Sequence, residues 1–390
     1  MTWIDETRLD DVDALEQADS RGALRALASG GAQVRRAMVA TDEAGVERWS
    51  RADRPRSVLV AALGGSGLVG NVLDLLADAH SPVPVTTRSG GALPGWVGPL
   101  DLVVAVSQSG RAAGPLRLAT EAARRGASLL TVAAADSPLA AVSRQARGTQ
   151  VDIAVPSPSS RTALWSLLVP VLRAADRLGV VDVPTAALDE TADMLDARAE
   201  ECRPSSESFV NPGKDLALAL SDTVPLILGD GPLAGVAARR MAAMAARTAR
   251  IPATHGTLPD DAATIVACFD GPHADGGARA LGGRDLFADP FLDGPATLPL
   301  SLVLIRDAAS AAPGHSPGEV GREHLAEAVA EAARSVGARV REVRAEGRSA
   351  VARLASLVAL GDYATTYAAL GLGVDPVVSA HVADLRDRTS

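Results

Sequence analysis

The chain has 390 residues, 47% hydrophobic and 22% charged, which is apolar surface enough for one large or two medium domains and excludes global disorder. Acidic residues outnumber basic ones 47 to 38, for a formal net charge of -9, and aromatics make up 3%, so a nucleic-acid coat or a base-stacking platform is disfavoured. Two cysteines outside any metal-ligand spacing, an acidic N-terminus with no secretory pattern and no long apolar run lead us to expect a cytoplasmic protein without metal, membrane or nucleic-acid partner.

Residues 1–55 read as a helical N-terminal cap, with Ala, Leu and Val at three- and four-residue intervals. Ser57-Val-Leu-Val-Ala-Ala-Leu63 then forms a short apolar run ending in Gly64-Gly65-Ser66-Gly67, and a helical pattern follows. The same order recurs at Val83–Val85, at Asp101–Val106 before Ser107-Gln108-Ser109-Gly110, at Ser128–Val132 and at Asp152–Val155. Fully apolar strands alternating with helices predict a parallel sheet covered on both faces.

Helical segments over 164–178 and 186–199 lead into a polar linker, and 201–222 is read as the interdomain segment. A second series opens with Val224–Leu228, Gly229-Asp230-Gly231 and a long alanine-rich helix. After a Gly-, Pro- and Asp-rich excursion over 270–299 it resumes with a strand at Ser301–Ile305, a helix over His324–Val336, a strand at Ala338–Val343 and a closing helix from Ala350 to Leu370. The fold class expected is therefore α/β, two tandem three-layer αβα lobes with parallel sheets, covering 56–200 and 223–390.

Gly65-Ser-Gly-Leu-Val-Gly70 is a G-x-G-x-x-G after a strand and opening a helix, where backbone N–H groups and the helix N-terminus favour an anion. A dinucleotide would want an acid on the next strand's end, and Val83 to Gly91 offers none; Arg88 could instead meet a 2′-phosphate, so an NADP-dependent oxidoreductase stays as an outside alternative. Ser107-Gln108-Ser109-Gly110 brings hydroxyls and small residues to the same edge of the sheet. Such a pair suits a phosphate held by amides and hydroxyls, although each bend alone is also ordinary turn chemistry.

These loops resemble the phosphosugar loops of the SIS (sugar isomerase) domain family, G-G-S-G after the first strand and S-x-S-G after the third. The chain is more closely similar to the bifunctional phosphoglucose/phosphomannose isomerases, which carry two SIS domains and act as dimers. Pro158-Ser-Ser-Arg161-Thr-Ala-Leu164 looks like their P-x-x-R-x-A-L, Asn211-Pro-Gly-Lys214 like N-P-A-K, and Gly361-Asp-Tyr-Ala-Thr-Thr-Tyr367 with Gly373-Val-Asp-Pro376 like their closing G-D-Y-x-x-x-Y and G-x-D-P. The resemblance implies a homodimer, a sugar phosphate as ligand, no cofactor, and aldose–ketose isomerisation through an enediolate. It places Gly64, Gly65, Ser66, Gly67, Ser107, Gln108, Ser109, Gly110 and Arg111 at the substrate and Arg161 as the cation steadying the developing oxyanion.

The departures concern the proton transfers. Where the family has E-N-A-K, whose Glu is the base, this chain has Arg247-Thr-Ala-Arg250; where P-E-x-N-H-N supplies the histidine, it has Pro259-Asp-Asp-Ala-Ala-Thr264. Ala112 replaces the threonine of the second loop, after Arg111. His255 could open a sugar ring, and Asp260 or Asp261 could act as base if burial raised its pKa; equally, His255 caps a turn and the aspartates solvate a loop. Arg111, Arg161, Arg247 and Arg250 could together clamp a phosphate, or reflect only a chain in which every basic residue but Lys214 is arginine. The remaining histidines, His80, His273, His315, His324 and His381, pair in no metal pattern. Two functions follow: isomerisation through substitute residues, or a sugar-phosphate sensor or partner without turnover in hexose or mannose metabolism. The missing Glu and His incline towards weak or lost activity.

Overall fold

The computed structural model describes residues 4–77, 81–153, 157–274, 298–307 and 317–389; His80, His315, the end of the expected strand at Val155 and most of the 270–299 excursion lie outside them. The chain divides into two compact units, one of Arg25–Asp196 with Ser349–Ala352, the other of Met1–Leu24 with Ala197–Arg348 and Arg353–Ser390. The stretch expected as a single cap is thus shared between the units.

The first unit holds five parallel strands, β1 (Val58–Ala62), β2 (Val85–Arg88), β3 (Leu102–Ser107), β4 (Ser128–Ala133) and β5 (Thr149–Asp152), in the order β2-β1-β3-β4-β5. β1 and β3 are buried along their whole length because both faces are covered. Alternate residues go to opposite faces. Leu59, Ala61, Val103, Ala105 and Leu129 pack with Leu118, Ala119 and Ala122 of the helix Ala113–Arg124 and with Leu93 and Val97 of the β2–β3 connection. Val58, Val60, Val104 and Val106 face the other way and are equally buried, on the side of the helices Leu68–Ala77 and Leu164–Arg177. Strand order reverses between β1 and β3, so the ligand crevice of an open α/β sheet falls at their C-terminal ends.

The second unit repeats the plan with four parallel strands, β6 (Val224–Asp230), β7 (Thr254–Leu258), β8 (Leu300–Arg306) and β9 (Arg339–Arg344), in the order β7-β6-β8-β9. Leu226, Leu228, Leu302 and Leu304 form one core with Ala326, Val329 and Ala330 of the helix Pro317–Ser335. The helix Pro232–Met244 packs on β6 and β7.

A close helix–strand approach recurs in both units. A Cβ on Gly70, in the helix after β1, would lie 2.2 Å from the Thr87 hydroxyl on β2, and one on Gly235, in the helix after β6, would lie 2.3 Å from the Thr257 hydroxyl on β7. The last glycine of the G-x-G-x-x-G is therefore needed for packing, whatever binds at the first two.

Candidate functional site

Register fixes the two serine-glycine bends as neighbours: Ala62 of β1 pairs with Val106 of β3, so Gly64–Gly67 and Ser107–Gly110 leave the sheet side by side at its carboxyl edge. Gly64–Gly67 is a short 3₁₀ turn, with Gly64 at φ +65°, a left-handed conformation that favours glycine. Ser66 is buried, Gly64 exposed and Gly67 half-buried. Gly110 has φ +62°, and a Cβ there would lie 2.1 Å from the Ser137 hydroxyl. In this loop Ser107 is buried, Ser109 and Arg111 are exposed, and the Arg111 N–H donates to Ser109 Oγ at 3.3 Å.

A third segment closes on the same edge. A Cβ on Gly65 would lie 2.8 Å from Ser160 Oγ and 3.1 Å from the Arg161 backbone nitrogen. Gln108 donates its amide N–H to the Ser157 carbonyl at 2.8 Å, tying the second loop to the start of the same segment. The segment is held by a 2.7 Å contact between the Ser157 and Thr162 hydroxyls, and Gln33 donates to the Thr162 carbonyl at 2.9 Å. Arg161, half-buried, thus stands beside the first loop with its backbone nitrogen and Cγ, and backbone amides and hydroxyls meet where an anion gains from fixed N–H dipoles.

The residues of the second unit are less concentrated. His255 is the second residue of β7, paired with Ile227, whereas Asp260 lies beyond the strand's C-terminal end at Leu258. Residues 254–258 form a strand instead of the expected loop, and its extended chain carries His255 roughly 10 Å back from that end. The structure does not bring His255 and Asp260 together. His255 is exposed on this strand, yet partial desolvation by its neighbours, with Arg239 adding to it, pushes the imidazole below its ordinary pKa, while Asp261 opposes this. Asp261 accepts from the Thr257 N–H at 2.8 Å and so holds the turn after β7, and Asp230 is buried at the end of β6.

Nor is Arg250 part of a clamp. Arg250 ends a π turn at φ +63°, and its guanidinium donates to the carbonyls of Arg247, Thr248, Asp375 and Val378. It fastens the Gly373–Pro376 motif to the helix end. Burial lowers its pKa, Arg247 adds to this and Asp375 opposes it.

Other matched motifs turn out to be buried structural contacts. Lys214 is fully buried, its ammonium donating to the carbonyls of Pro204 and Ser206 at 2.8 and 2.7 Å and to Asp10 at 3.2 Å, 5.6 Å above the Tyr367 ring. Desolvation lowers its pKa and Asp10 resists the fall. Tyr367 donates to the Cys202 carbonyl at 2.6 Å, and Asp362 accepts two 2.9 Å bonds from Arg240, both side chains 5% exposed. Spacing gave no sign of this pair, since the two residues lie on separate helices. Among the described residues no group of three or more His, Cys, Asp or Glu could hold a metal, and no helix is long and apolar enough to cross a membrane.

Two parallel-stranded αβα units, with glycine-serine bends at the carboxyl edge of the first, define a tandem open α/β fold. The family model described as the bacterial phospho-glucose isomerase C-terminal SIS domain matches residues 209–389. A bifunctional phosphoglucose/phosphomannose isomerase of Caldicellulosiruptor bescii is 24% identical over 320 residues, 82% of this chain and 85% of the relative. Among solved structures, a hypothetical protein from Thermus thermophilus aligns with a TM-score of 0.65 at 16% identity, covering 96% of this chain and 94% of that one. The C-terminal domain of glucosamine-fructose-6-phosphate aminotransferase from Francisella tularensis aligns with a TM-score of 0.61 at 12% identity, covering 91% and 97%. Over residues 209–389 the chain is thus similar to the SIS (sugar isomerase) domain of bacterial phospho-glucose isomerases, and over 82% of its length to a bifunctional phosphoglucose/phosphomannose isomerase.

Proposed function

We propose that the protein binds a hexose phosphate in the first unit and belongs functionally with the glucose-6-phosphate/mannose-6-phosphate isomerases, with aldose–ketose turnover weak or lost. The observation that carries this reading is the convergence of Gly64–Gly67, Ser107–Arg111 and Arg161 at one sheet edge. Gly64, Gly65, Ser66 and Gly67 would offer amides and a hydroxyl, Ser107, Gln108, Ser109, Gly110 and Arg111 the facing polar groups, and Arg161 a fixed charge for the phosphate or a developing oxyanion.

The reading of weak turnover rests on the chemistry of proton transfer. Moving a proton between C1 and C2 needs a base within hydrogen-bond reach of the carbon-bound proton. Arg247 occupies the position of the family's base, and Arg250, at the position of its lysine, is engaged with four carbonyls. Asp260 is the remaining candidate base, with His255 set back along β7 from it. A sensor or partner role in hexose phosphate metabolism, in the homodimer the family resemblance implies, is the corresponding non-catalytic reading.

Incubation of the purified protein with fructose 6-phosphate, followed by assay of glucose 6-phosphate and mannose 6-phosphate, tests the two readings. Product formation that disappears in Arg161→Ala establishes isomerisation; binding without product establishes the sensor. Thermal protection by NADP alone, with none from hexose phosphates, would remove the sugar reading.

A further inference from the structure

At the carboxyl edge of the first sheet, beside the start of the helix Ala113–Arg124, stand three arginines that hold no carboxylate among the described residues. Arg88 ends β2, one strand spacing from Ala61 of β1, its register partner, and is exposed. The turn that follows lies directly on the start of the helix Ala113–Arg124: a Cβ on Gly114 would fall 1.9 Å from the Ser89 carbonyl oxygen, and one on Gly90 would fall 3.8 Å from Arg117 Nη2. Arg88 and Arg117 therefore flank Gly90, and Arg111 precedes the same helix start by two residues. Residues 79–100 and 102–120 contain no Asp or Glu. Among the described residues none of these three guanidiniums is in an ion pair, whereas Arg56, Arg124 and Arg125 nearby each hold a carboxylate. A codon bias explains why a cation here is arginine; it does not explain why this group lacks counter-charges.

Three like charges gathered beside a helix N-terminus repel one another and raise the local positive potential, an arrangement that an anionic ligand relieves. The first bend already offers amides for one phosphate. We infer that the crevice is built for a sugar phosphate carrying a second anionic group, phosphoryl or carboxylate, which Arg88 and Arg117 hold while the ester phosphate sits at the serine-glycine bends. This rests on the reading of the first unit as the sugar-phosphate site and narrows its ligand class.

Calorimetric titration with fructose 6-phosphate, fructose 1,6-bisphosphate and 6-phosphogluconate tests it. At least one doubly anionic ester should bind about tenfold or more tightly than fructose 6-phosphate, the fold-change expected of a charge-assisted contact. Which of the two does so separates a phosphoryl from a carboxylate. In Arg88→Gln/Arg117→Gln the advantage should vanish with the affinity for fructose 6-phosphate unchanged. Equal affinities for all three esters, or an advantage that survives the double substitution, overturn the inference and leave the hexose phosphate reading standing. NADP bound more tightly than any ester overturns it in favour of a 2′-phosphate site, and no binding of any ester overturns both.

Discussion

A Cβ placed on Gly65 would lie 3.1 Å from the backbone nitrogen of Arg161. The turn after the first strand and a segment entering the helix Leu164–Arg177 thereby share one surface, and Gln108 joins the second serine loop to that segment through Ser157. The contact gives Gly65 and Gly67 different roles, which substitution separates.

Gly65→Ala should displace Ser160 and Arg161 and cost about 1–3 kcal/mol of stability through overpacking. Gly67 has nothing within 4 Å of its Cβ position, so Gly67→Ala should leave the melting temperature unchanged while weakening hexose phosphate binding, because only an approaching ligand would meet the new methyl. Thermal melts and calorimetry on the two variants check both outcomes.

Asp101 opens β3 with a fully buried carboxylate that accepts from Arg56, from the Ser57 hydroxyl at 2.7 Å and from the Gly98 N–H at 2.8 Å. Burial pushes its pKa upward, but the bonds from Arg56, Ser57 and Gly98 outweigh it and hold the group below its ordinary 3.8. A depressed carboxylate contributes stability that is present above the unfolded value and lost as pH falls through the folded one. Asp101→Ala should cost about 1–3 kcal/mol at neutral pH, and the gap between variant and parent should narrow below pH 3.8 in acid-unfolding curves.

Arg240 and Asp362 form a buried bidentate pair in the second unit. Asp362→Ala removes two bonds from a buried guanidinium and should destabilise by about 3–5 kcal/mol. Arg240→Met/Asp362→Leu, which removes both charges, should recover part of that loss. A double variant less stable than Asp362→Ala in urea unfolding would contradict the assignment.

His255 should titrate below 6.5 in an NMR pH series, from partial desolvation and the nearby Arg239. With its folded pKa below the unfolded one, the folded state binds the proton less tightly. Stability therefore rises with pH through the window between the two values and is complete above 6.5. His255→Ala should leave hexose phosphate affinity unchanged, since the ring stands well back from the end of β7.

The readily legible parts of the fold were its interior. β1, β3, β4, β6 and β8 lie where mainly apolar runs stand, because burial on both faces leaves few polar positions to confuse the period. The edge strands were harder: β2 reads VTTR, β5 TQVD and β7 THGTL, and a half-exposed edge tolerates the Thr, Gln and His that resemble a loop. Missing β7 is what made His255 look available to Asp260. Within the candidate site the two serine-glycine bends were readable from their place after strands, but the approach of Gly65 to Arg161 was not, since only the tertiary fold brings those segments together. Arg250 misled in the same way: its charge is absorbed by carbonyls, two of them contributed by Asp375 and Val378 far along the chain.

Binding of fructose 6-phosphate, measured by calorimetry on the parent protein and on Gly67→Ala, tests the central claim most directly. The expected result is saturable binding at or below millimolar concentration that weakens at least several-fold in the variant without a change in melting temperature. Absence of binding at millimolar concentration, or identical affinity in the two proteins, would contradict it.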